Sequence, residues 1–312
     1  MNRIASAISI AALAFLVLPG IAEAKDPKVY DTPDAAAADL IAALGAGTRD
    51  AITDVLGDQH NDELFTQDES MEKENRERAF AAAKEKMSLR ADADNKRTIL
   101  IGKQEWPVPF PIVKVDKGWT FDTEAGIYEL LARRIGGDEL AAIAALRTFV
   151  QAERDYQSED RDADQVLEYA QKFVSTPGTK DGLYWDVDPN SNEEASPLAA
   201  FVTAQGGYLE GRDQGDPVRG YRFRILTRQD EGAPGGRYDY IINGNMIGGF
   251  AAIATPSDYG ETGVMTFIVN QQGKVYEKDL GDDTELEANK IQSYNLDSTW
   301  QLSKDQTADN SQ

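Results

Sequence analysis

Carboxylates are the residues of this sequence with the strongest claim to chemistry. Asp160-Arg161-Asp162-Ala163-Asp164 sets acids at alternate positions of a polar stretch directly after a helical segment, and Glu168 follows. Alternating carboxylates in a loop are how oxygen ligands are gathered around calcium. Asp160, Asp162, Asp164 and Glu168 are therefore the candidate metal ligands, and calcium is the cofactor they would hold. The match to a helix-loop-helix calcium site is partial. Gln165 stands where such a loop turns on glycine, and Gln171 where it closes with a bidentate acid. A solvated acidic loop is the plainer reading and the preferred one.

A second group follows in Asp181-Gly182-Leu183-Tyr184-Trp185-Asp186, with Asp188, Glu193 and Glu194 behind it. Tyr184, Trp185 and Asp186 are the candidate ligand-binding residues, because aromatic faces beside a hydrogen-bonding acid suit a sugar. A pair of acids can also hydrolyse one, which makes Asp181, Asp186, Glu193 and Glu194 the candidates for an acid-pair carbohydrate-active enzyme. The alternative is an aromatic plug beneath a long loop. The single histidine, His60, lies in a polar, acidic stretch and reads as solvated. Without cysteine there are no disulfides, thiol nucleophiles or thiolate metal sites. No P-loop, Gly-x-Ser-x-Gly elbow, His-Glu-x-x-His pair or dinucleotide fingerprint occurs, so no residue is assigned a catalytic role.

The acidity extends to the whole chain. Lys+Arg 32 against Asp+Glu 54 gives a net charge of −22 over 312 residues. Such a field repels phosphate backbones and anionic lipid, and disfavours nucleic acid and membrane surfaces as partners. Residues 1–24 carry Arg3, an apolar run from Ile8 to Leu18, Pro19-Gly20, and Ala22-Glu23-Ala24. These are the parts of a secretory signal peptide cut after Ala24. The mature chain is then expected in the periplasm or outside the cell, with no membrane span after cleavage and an envelope protein or glycan as partner.

Around these sites the pattern is α+β. An N-terminal module over 25–122 starts with helices at Pro33 and near Ala51, continues with a charged helix from Glu72 to Lys86, and changes to strands at Thr98–Gly102 and Ile112–Val115. Between those strands, Trp106-Pro107-Val108-Pro109-Phe110-Pro111 is expected to close the core. A second module over 123–302 opens with a helix stopped by Gly136-Gly137 and a further helix from Asp138. On the latter, Ala142, Ile143, Leu146, Phe149, Val150 and Tyr156 form one apolar stripe. That stripe is expected to cover an antiparallel sheet made from short β-rich runs between Gly220 and Gly281. Residues 303–312 read as a polar tail.

Several of these motifs together carry a resemblance. Trp106 to Pro111, Gly118-Trp119-Thr120-Phe121-Asp122, Gly182-Leu183-Tyr184-Trp185, Gly220-Tyr221-Arg222-Phe223, Ala233-Pro234-Gly235-Gly236 and Gly248-Gly249-Phe250-Ala251 resemble the bacterial family called domain of unknown function 2950. The resemblance implies an exported bacterial protein and brings no reaction, cofactor or catalytic residue with it. The second half is also similar to the globular heads of type IV pilin-like proteins, through its Ala141–Arg147 helix, Gly-Tyr-x-Phe strand and closing Thr266–Val275 hairpin. The long apolar N-terminal helix of pilins is missing. The leading expectation is a non-catalytic structural or interaction protein of the cell envelope, with a calcium-stabilised binding module and the acid-pair enzyme as alternatives.

Overall fold

The computed structural model describes residues 24–65, 69–161, 163–188, 190, 193–204, 216–303 and 305. Residues 1–23 of the expected signal peptide and Asp162 lie outside that set, as do most residues of the expected polar tail. The chain forms two compact units divided between Glu129 and Leu130.

The first unit holds helices α1 (Pro33–Ala46), α2 (Arg49–Leu56), α3 (Asn61–Leu64) and α4 (Glu69–Glu85). Its strands are β1 (Met87–Ala93), β2 (Lys96–Ile101), β3 (Trp106–Pro107), β4 (Ile112–Val115) and β5 (Gly118–Phe121). Helix α1 starts where Thr32 accepts a hydrogen bond from the Ala35 N–H with Pro33 in the first turn, and it stops on Gly47 in the left-handed conformation. The sheet is antiparallel in the order β1-β2-β4-β5, with β3 also on β2. Strand β1 is missing from the sequence reading because it alternates weakly and lies exposed at the sheet edge. The proline-rich run divides. Phe110 is buried as expected, but Trp106 is 63% exposed, since the two-residue β3 leaves it at the margin of the sheet.

Helix α5 (Thr123–Gln157) opens on Asp122, whose carboxylate accepts from the Ala125 N–H, and runs unbroken for 35 residues. The expected stop at Gly136-Gly137 is therefore corrected. Neither glycine takes the positive φ of a helix cap, and Asp138 lies inside the helix instead of starting one. Two interior glycines cost about 1 kcal/mol each, which the burial of the apolar stripe farther along the same helix outweighs. All six expected stripe residues are buried.

The second unit continues with α6 (Ala199–Ala204), β6 (Tyr221–Leu226), β7 (Arg228–Gln229), β8 (Tyr238–Asp239), β9 (Ile241–Ile242), β10 (Asn245–Met246), β11 (Ala251–Pro256), β12 (Met265–Asn270), β13 (Tyr276–Asp279), α7 (Thr284–Lys290) and β14 (Gln301–Leu302). The main sheet is antiparallel in the order β14-β13-β12-β11-β6. Register aligns Ile225, Ala252 and Val269 in one row and Phe223, Ala254 and Phe267 in another. Residues two apart along a strand share a face, so these rows form one apolar surface. Arg224 alternates to the opposite face and donates to the carbonyls of Ala288 and Ile291 at the end of α7. The fold is α+β. No helix among the described residues is long and apolar enough to cross a membrane.

Phe149 of α5 meets both Phe250, at the start of β11, and Phe173, at ring separations of 5.5 and 5.4 Å. The second contact anchors the irregular segment that follows α5 to the core.

Candidate functional site

That segment folds back on itself. Leu183 N–H donates to the Lys172 carbonyl, Tyr184 N–H to that of Phe173, and Ser175 N–H to that of Tyr184. Between these pairs Thr176-Pro177-Gly178-Thr179 closes with Thr179 N–H on the Thr176 carbonyl, and Gly178 has φ +83°. Proline then glycine with positive φ is the signature of a type II turn. Gly182 is required where the two limbs meet, because a Cβ there would lie 2.8 Å from the Ser175 nitrogen and the Val174 carbonyl carbon. The result is a cleft of about 410 Å³ with Tyr184, Trp185, Asp186, Lys180, Thr179 and Glu193 among its lining residues. The three residues proposed from sequence as ligand contacts thus share one concave surface.

The four acids proposed as a hydrolytic pair have different fates. Asp181 accepts from Thr176 N–H (2.7 Å), from the hydroxyls of Thr176 and Thr179 (2.9 and 2.8 Å), and from Lys172 Nζ (2.5 Å). Burial alone would raise its carboxyl, but the Lys172 ammonium and these donors outweigh it and hold the group well below the usual carboxylate range. Glu194 accepts from Arg161 (2.9 Å), and that cation lowers its pKa. Asp186 accepts from the Tyr184 hydroxyl at 2.8 Å. Glu193 lines the cleft with Asp186.

In the acidic loop the carboxylates turn inward to the backbone. Asp160 accepts from the N–H groups of Ala163 and Gln165, both at 2.8 Å. Asp164 accepts from Val166 N–H and from the side-chain amide of Asn245, and Glu168 accepts from Met246 N–H. Gln165 has φ +71° and Ala163 +65°, so the sharp turn is made without glycine, at a strain of about 1 kcal/mol per residue. Gln171, at the closing position, donates to the Gly244 carbonyl. Among the described residues no three acids converge into a group able to hold a metal, and Asp162 lies outside them. His60 sits before α3 with Nδ1 3.9 Å from Glu63.

A family model described as Protein of unknown function (DUF2950) matches residues 27–302. The chain belongs to that family. No curated protein and no solved structure matches it.

In this member of DUF2950 the cleft depends on residues that sequence reasoning passed over. Arg161 carries no assigned role in the sequence pattern. Its side chain is 6% exposed, and its guanidinium carbon lies 5.5 Å from the Trp185 ring centroid and 6.0 Å from that of Tyr156. Lys180 Nζ lies 5.4 Å from the Trp185 ring. Cations over an indole face are attracted by the ring quadrupole. The Thr-Pro-Gly-Thr turn was a legible sign that 175–182 folds compactly; nothing local foretold that Arg161 would reach Trp185, twenty-four residues away.

One further acid lies between the loop and the cleft. Glu153 of α5 is fully buried and accepts from Ala170 N–H at 2.8 Å, and burial pushes its carboxyl well above the usual range.

Proposed function

We propose that the mature chain is exported and serves in the bacterial cell envelope as a non-catalytic binding module that holds a glycan in the cleft of residues 174–186. The observation that carries this reading is the cleft itself, where two aromatics, two acids and a lysine line one concave surface of a size suited to a sugar unit or two. Glycoside hydrolysis needs one carboxyl with a raised pKa to protonate the leaving oxygen. Here Asp181 and Glu194 are held ionised by Lys172 and Arg161, while the raised carboxyls, Glu153 and Asp138, belong to α5. Export rests on residues 1–24.

The test is co-sedimentation of the mature chain, beginning at Lys25, with isolated cell-wall polysaccharide, together with an assay for newly formed reducing ends. Binding that weakens about tenfold in Tyr184→Ala, with no reducing ends formed, is the expected outcome. Turnover that is lost in Asp186→Asn would make the protein an enzyme instead.

A second reading, a calcium-stabilised loop, is favoured by one observation. Gln165 takes the left-handed turn at the position a calcium loop reserves for glycine, and its N–H is held by Asp160. At about a hundredfold excess over its dissociation constant, bound calcium would add about 2.7 kcal/mol and raise the midpoint by several degrees. Unfolding in chelator and in millimolar calcium, with Asp160→Asn as control, decides it. An unchanged midpoint removes the reading.

A further inference from the structure

Two cations stack on the one indole of the cleft wall, and three donors, the indole N–H among them, are left without an acceptor among the described residues. Trp185 is 7% exposed, and its Nε1 is buried with no hydrogen-bond acceptor. Arg161, stacked on the same ring, has its two terminal nitrogens engaged with Glu194, Glu159 and the Asp155 carbonyl, but its Nε is buried without an acceptor. Lys180 forms no ion pair among the described residues, although its charge acts on Glu194. A buried donor left unpaired costs about 1–3 kcal/mol, and native proteins keep few of them. Trp185 and Lys180 both line the open cleft, so the unmatched indole donor and the free ammonium call for oxygen acceptors supplied by whatever enters it, while Arg161 packs against the indole from outside the lining.

We infer that the cleft selects a glycan bearing a carboxylate, whose oxygens are received by Trp185 Nε1 and the Lys180 ammonium. This rests on the glycan reading of the cleft and names the class of glycan. A neutral carbonyl would satisfy the indole donor. Only a negative group also pairs with Lys180, so the lysine supplies the discrimination between acidic and neutral sugars. The remaining acids, Asp186 and Glu193, are the acceptors for sugar hydroxyls, and Asp186 already accepts one phenolic hydroxyl from Tyr184. The net charge of −22 gives no long-range attraction to an acidic ligand. Selection is therefore made at contact, within the roughly 8 Å over which charge acts at physiological salt.

The experiment titrates the ¹⁵N-labelled mature chain with N-acetylmuramic acid and, separately, with N-acetylglucosamine, which lacks the lactyl carboxylate. The Trp185 indole signal is assigned with Trp185→Phe. The muramic sugar is expected to bind at least tenfold more tightly and to shift the Trp185 indole N–H. In Lys180→Met the preference for the muramic sugar over N-acetylglucosamine collapses, with the remainder of the spectrum reporting an intact fold. Equal affinities for the two sugars, both weakened by Tyr184→Ala, would overturn the carboxylate inference and leave the cleft reading standing. If neither sugar binds, or binding leaves cleft signals unmoved, both readings fall.

Discussion

From Asp160 to Glu168 every described acid already holds a backbone or amide donor, whereas between Lys172 and Asp186 the buried group left over is a donor, Trp185 Nε1, with the unmatched Nε of Arg161 from the first stretch stacked beside it. Both stretches are polar and acid-rich in sequence, yet they are opposites chemically. In the first, carboxylates replace missing turn residues and fix the backbone. In the second, Asp181 plays that part alone for the turn, and Trp185 and Lys180 face a cleft. Acid content alone therefore says little about ligand chemistry. What distinguishes a scaffold from a site is which hydrogen-bonding groups remain unmatched after folding.

The strongest way to break the contrast is at Gly182. A methyl there meets two backbone atoms at 2.8 Å, so Gly182→Ala should destabilise by roughly 2–3 kcal/mol. Thermal unfolding of the chain from Lys25 measures it, and an unchanged midpoint would mean that the limbs of the cleft are not closely packed.

Glu153, between the two regions, provides a pH test. Its folded pKa is raised above the unfolded value, so its contribution is fully present at low pH and is lost as pH rises from about 4.5 toward the folded pKa. Stability should fall by up to about 1.4 kcal/mol per pH unit in that window. Glu153→Gln should flatten the slope and be the more stable form at pH 8. Parallel pH profiles would show that Glu153 is not held neutral.

Asp181 has the opposite sign. Its depressed folded pKa adds stability above the unfolded value of about 3.9 that is lost as pH falls below it. Asp181→Asn should destabilise by about 1–2 kcal/mol at pH 7, a value discounted for the group's partial exposure. The difference from wild type should close progressively below about pH 4. The smallest effect sharpens the contrast from the other side. Gln165→Gly relieves a left-handed backbone and should stabilise by about 0.5 kcal/mol, because the gain is partly offset by greater freedom of the unfolded chain.

Much of this architecture was legible where periodicity and punctuation agree. The β-rich runs expected between Gly220 and Gly281 supply β6, β11, β12 and β13 of the main sheet, and Asn243-Gly244 turns between β9 and β10 with positive φ at both residues. Gly136-Gly137 misled because glycine is read locally as a stop, while the helix is held by packing that begins at Ala142. Trp106 misled for the related reason that an aromatic beside proline reads as core until the width of the strand is known. At the site, Tyr184, Trp185 and Asp186 were visible because they are adjacent in sequence. Arg161 and Lys180 were not, since their roles arise only when the chain folds back and brings three separate segments around one indole.

The most direct test of the central claim is calorimetric titration of the chain from Lys25 with soluble cell-wall glycan fragments, in wild type and in Trp185→Phe, which keeps an aromatic ring while removing the buried N–H donor and part of the indole's bulk. Binding without release of reducing ends, weakened about tenfold in the variant at an unfolding midpoint close to wild type, is the result predicted. Absence of binding, or equal affinity in the two proteins, would contradict it.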